Sequence, residues 1–85
     1  EVESALSNEA ALADRQAILE RFVADSERAL KLSEIRYRVG KENLTDVLNN
    51  QLRLQSSHAQ LVQVRAERLV QRVNLHLALG GGISA

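Results

Sequence analysis

The chain is 85 residues long and 45% hydrophobic, with no proline, cysteine, methionine or tryptophan. A chain of this size buries only about 60–65% of the surface its unfolded form exposes, and without cysteine neither disulfides nor a structural zinc set reinforce the core. Eleven basic and eleven acidic side chains cancel, and one Tyr and one Phe give no stacking platform, which excludes a nucleic-acid footprint or attraction to an anionic membrane. Stability is therefore expected from idealised helix packing, from self-association or from a larger parent. The start, Glu1-Val2-Glu3-Ser4, is neither a signal nor a transit peptide, and no apolar run approaches the roughly 18 residues of a membrane span. The missing initiator methionine fits a segment trimmed or excised from a longer protein.

Glycine is confined to Gly40 and the run Gly80-Gly81-Gly82, and the stretches between are rich in Ala, Leu, Glu, Arg and Gln, all strong helix formers. The pattern predicts one all-α unit over 1–85: a helix from about Ser4 to Val39, a turn at 40–43, a helix from about Leu44 to Leu79, and a glycine-rich end at 80–85. Each helix is about 50 Å long at 1.5 Å per residue, which implies coiled-coil-like packing as a long antiparallel hairpin. At the turn, Gly40 suits the left-handed residue that ends a helix, and Asn43 suits the cap of the next one. Three residues on, Asp46 places a carboxylate at the positive end of the second helix.

Apolar spacing supplies a register. Ala11, Arg15, Ile18, Phe22, Asp25, Ala29 and Leu32 recur at steps of three and four, as do Leu52, Gln55, Ala59, Val62, Ala66, Leu69 and Val73. Antiparallel pairing sets Leu32 with Leu52, Ala29 with Gln55, Phe22 with Val62, Ile18 with Ala66 and Ala11 with Val73, all centred on Glu42. A second stripe runs beside the first: Leu12, Leu19, Val23, Leu30 and Tyr37, then Val47, Leu54, Leu61, Val64, Leu75 and Ala78. One hairpin needs only one seam, so two stripes per helix imply further helical neighbours. A dimer forming a four-helix bundle and a ring of helices packed side by side both satisfy this pattern.

The turn reads Ile35-Arg36-Tyr37-Arg38-Val39-Gly40-Lys41-Glu42-Asn43-Leu44-Thr45-Asp46-Val47-Leu48-Asn49-Asn50-Gln51. It resembles the R-Y-x-x-G-x-x-x-x-x-D-V-L-x-x-Q signature at the second periplasmic hairpin of TolC-like outer-membrane efflux channels, closest to the lipoprotein branch that works with RND pumps. Gln60 to Arg68 and Val73 to Gly82 continue the likeness, whereas Glu1 to Ser33 carry little beyond helix character.

The resemblance implies a trimeric parent with a β-barrel in the outer membrane and an α-helical barrel in the periplasm. This hairpin would then form the entrance and meet the periplasmic adaptor protein of a tripartite pump with an RND-type inner-membrane member. It also implies roles by position. Tyr37 matches a tyrosine that helps hold the entrance closed, Gly40 the tip glycine that the adaptor approaches, and Asp46 a carboxylate near the constriction. Glu42 stands where some members have a basic residue, and Asn49 where some have a second acidic one. Adaptor docking falls on Val39, Gly40, Lys41, Asn43 and Leu44. Each role has a plain structural alternative: Tyr37 as the end of a stripe, Gly40 as a helix cap, Asp46 as an N-terminal helix charge.

His58 and His76 lie on one helix face but about 27 Å apart, too far to share a metal, and no cofactor is implied. Arg65, Arg68 and Arg72 read as a solvated face or as interhelical ion pairs. No nucleophile, acid-base pair or phosphate-cradling loop converges on one hairpin, so an enzyme is not expected. The function expected is that of a duct segment, with self-association of the isolated chain as a dimer. The alternative is a coiled-coil interaction hairpin, as in an adaptor protein or a scaffold.

Overall fold

The computed structural model describes residues 2–80, so the Gly81-Gly82 part of the expected glycine-rich end lies outside the described residues. Two helices, α1 (Val2–Arg38) and α2 (Leu44–Ala78), run antiparallel as a rod with extents of 64 × 21 × 14 Å. No strand is present among the described residues, and no described helix is long and apolar enough to cross a membrane. The architecture is the all-α hairpin that the composition and the two glycine breaks dictate.

Backbone chemistry builds the turn. Gly40 takes φ +78°, the left-handed region that L side chains resist. Its N–H donates to the carbonyl of Tyr37 at 3.0 Å, and that of Lys41 to Arg36 at 2.8 Å. These two bonds make the Schellman arrangement, which satisfies carbonyls left without partners at the end of α1. Asn43 is extended, and its side-chain oxygen accepts from the N–H of Asp46 at 2.9 Å, capping α2.

Spacing leaves open which of the two stripes closes the hairpin, and the structure closes it on the second and not on the stripe of Leu32 and Leu52. Every residue of the series Leu12, Gln16, Leu19, Val23, Ser26, Leu30 and Ser33 is buried or half-buried, as is every residue of Val47, Asn50, Leu54, Ser57, Leu61, Val64, Arg68, Gln71 and Leu75. These positions advance in alternating steps of three and four, the knobs-into-holes period. The core is Leu19, Val23, Leu61 and Val64, with Leu12 and Leu54 packed against it. The other stripe points outward: Ile18, Phe22, Leu32, Leu52, Val62, Leu69 and Val73 are all exposed.

Register nevertheless holds, because Gln16 and Arg68, equidistant from Glu42, are hydrogen-bonded across the seam. What changes is rotation, by about 100° in α1 and about 160° in α2 at 100° per residue. Small side chains fit this facing. Ser26, Ser33 and Ser57 are among the most buried residues, and their size lets the helices approach closely there. Ser57 Oγ donates to the carbonyl of Leu54 at 2.8 Å, so its hydroxyl costs little to bury. In the outer stripe, Arg15 and Asp25 stay in water, where Asp25 pairs with Arg28 at 2.6 Å.

Candidate functional site at the turn

Tyr37, Val39, Gly40, Lys41, Glu42, Asn43, Leu44, Asp46 and Asn49 all fall at one end of the rod, because they span the end of α1, the turn and the first turns of α2. Val39 and Leu44, on either side of the turn, are exposed apolar residues, and Leu48 continues them along α2. Arg36, Arg38 and Lys41 are exposed around them, so the end of the rod is an apolar patch with a cationic rim. Tyr37 is exposed as well, and does not close the apolar seam.

Gly40 has open space around it: a Cβ added there would meet nothing within 4 Å. Glycine is required at this point by its backbone angle and not by crowding within the chain. Asp46 is half-buried; its N–H goes to Asn43, and its carbonyl accepts from the Asn50 side chain at 2.9 Å. Asn49 is exposed.

Glu42 behaves differently from its neighbours. Its carboxylate accepts a hydrogen bond from the hydroxyl of buried Ser33, nine residues earlier on α1. The side chain is therefore a strut that holds the turn against α1. By resemblance Glu42 is a gate position at the tip, standing where some family members have a basic residue, and apolar spacing passes over Ser33. The signal available was Ser33 continuing the stripe of Leu19, Val23, Ser26 and Leu30, one turn before the helix end.

Along the outer flank of α2, Leu69, Arg72, Val73, His76 and Leu77 line an open apolar groove of about 320 Å³. It belongs to the stripe that the hairpin leaves uncovered. The sequence matches the outer membrane efflux protein family over residues 1–81, nearly its whole length.

The chain belongs to that family.

Among relatives, it is 44% identical over 57 residues to the pyoverdine export outer membrane protein OpmQ of Pseudomonas aeruginosa, covering 67% of this chain and 12% of that protein. It is 34% identical over 85 residues to the protein of the same name from Pseudomonas putida, covering 100% of this chain and 18% of the relative. The chain thus spans less than a fifth of the length of the relatives it matches. No solved structure matches. Membership of the efflux family, the TolC-like character of the turn and the helical hairpin are mutually consistent.

Proposed function

We propose that this chain is a periplasmic hairpin of an outer-membrane efflux duct, with its turn forming the entrance and docking a periplasmic adaptor protein. The observation that carries the reading is the division of apolar residues into two stripes, one closing the hairpin and one left outward on both helices, in a member of the efflux family. A helix in the wall of a barrel needs a neighbour on each flank, and the outward stripe supplies the second contact. In the parent, three copies close the duct; the pump in the inner membrane supplies energy, and the hairpin performs no chemistry.

At the entrance, Tyr37, Asp46 and Asn49 are the gate positions, while Glu42 braces the turn through Ser33. Val39, Gly40, Lys41, Asn43 and Leu44 meet the adaptor, which buries the apolar Val39 and Leu44 and faces the cationic rim with acidic groups. Isolated, the hairpin pairs with a second copy to cover its outer stripe as a four-helix bundle, since so much exposed apolar surface is unusual for a monomer.

The test is Val39→Asp combined with Leu44→Asp in cells that depend on the parent protein for export. Transport and cross-linking to the adaptor should both be lost while the protein's abundance in the outer membrane is unchanged. Full transport by this variant would contradict the docking role.

A further inference from the structure

Two apolar stripes share one apex at Glu42, so hydrophobic spacing alone lets either of them close the hairpin. Polar members of the stripes tell them apart. Closing on the first stripe would set Arg15 level with Leu69, Asp25 with Ala59 and Gln55 with Ala29, leaving two charges and an amide against apolar partners. Closing on the second sets Gln16 level with Arg68, and there the groups satisfy one another. Arg68 Nε and Nη2 donate to Glu9 Oε1 at 3.1 and 2.8 Å, and Nη1 donates to Gln16 Oε1 at 2.9 Å. One guanidinium on α2 thereby clasps two turns of α1.

This contact differs from the other ion pairs. Arg28–Asp25 is a pair within one helix, and Arg65–Glu20 spans 3.6 Å with both side chains about half exposed. The side chains of Arg68 and Glu9 are only 25% and 24% exposed, so among the ion pairs of the described residues this one is largely withdrawn from water. It is not built for greatest stability. Glu9 Oε2 is buried and has no hydrogen-bond partner among the described residues, which is a cost that an apolar pair would not carry.

We infer that Arg68, Glu9 and Gln16 act as a facing determinant: the clasp selects which apolar stripe closes the hairpin and which stays outside. A polar residue at a seam position fixes the arrangement of coiled coils in the same way, at some expense of stability. Here the selected variable is helix rotation, since the turn already holds the register. The inference stands independently of the duct reading, because it concerns only how α1 and α2 meet.

Intramolecular oxidative cross-linking in the intact protein tests it, using cysteine pairs in a stretch that has no cysteine of its own. Ser26→Cys with Ser57→Cys reports closure on the inner stripe, and Ile18→Cys with Ala66→Cys reports closure on the outer one. With the clasp intact, only the first pair should cross-link. With Glu9→Leu and Arg68→Leu together, which leave no unpaired charge, the helices should persist. The first yield should fall, and the second should rise from background to a comparable level. The charge-swapped Glu9→Arg with Arg68→Glu should restore the native pattern. If the double leucine variant keeps the native pattern, the clasp selects nothing and the inference is overturned. If that variant loses its helices, the clasp is a stability element and the inference is equally overturned.

Discussion

Leu61 and Val62 are consecutive, apolar and in the middle of the same helix, yet Leu61 is 4% exposed and Val62 is 61% exposed. The same contrast runs the length of the rod. The inner stripe contains three serines, an arginine and two glutamines, whereas the outer one carries Ile18, Phe22, Leu32, Leu52 and Leu69. Much of the bulkier apolar surface is outside. What closes this hairpin is fit between small side chains and mutual satisfaction of polar ones, and not the sum of hydrophobicity. The outer stripe keeps its larger side chains for a contact the hairpin cannot make with itself.

Truncation at the two positions gives the sharpest form of this comparison. Leu61→Ala should lower the unfolding free energy by about 2–4 kcal/mol in a urea titration, since it opens a cavity between two helices with little else in their core. A loss under about 0.5 kcal/mol would remove Leu61 from the core. Gly40→Ala should cost about 1–2 kcal/mol by the same measurement, the penalty of an L residue in the left-handed region with no added clash. Gly40→Asn should recover part of that loss, because asparagine tolerates this conformation better. The smallest effect on folding should come from Val62→Ala, within about 0.5 kcal/mol when measured on the dissociated chain. Its partner experiment, Val62→Asp followed by sedimentation, should shift the isolated chain from dimer to monomer. A wild-type chain that sediments as a helical monomer would break the outer half of the comparison.

Much of the hairpin was legible in the sequence. Glycine placement, the Asn43 cap and the symmetry of the apolar series about Glu42 all locate the turn. The facing was not legible, for a physical reason. Spacing arguments count large apolar residues, so they pass over serines, whose value in a seam is their small size and their bond to a nearby carbonyl. They leave Arg68 between a solvated face and an interhelical ion pair, because nothing in the local sequence shows that Glu9, on the other helix, comes within reach. The Glu42–Ser33 strut was missed likewise: it depends on how the turn folds back. At the tip, the roles of Tyr37, Gly40 and Asp46 rest on resemblance. Residue chemistry alone gives only a cap, a helix charge and the end of an apolar stripe.

Thiol accessibility at Val62→Cys and Val64→Cys tests the account most directly, with a membrane-impermeant maleimide and two states of the protein: the isolated chain below its association range and the assembled parent in the membrane. The account predicts that Cys at position 64 is protected in both states, while Cys at position 62 labels readily in the isolated chain and becomes protected on assembly. Labelling at position 62 that persists in the assembled parent would mean that the outer stripe meets no neighbour, and the duct-wall reading would fall with it.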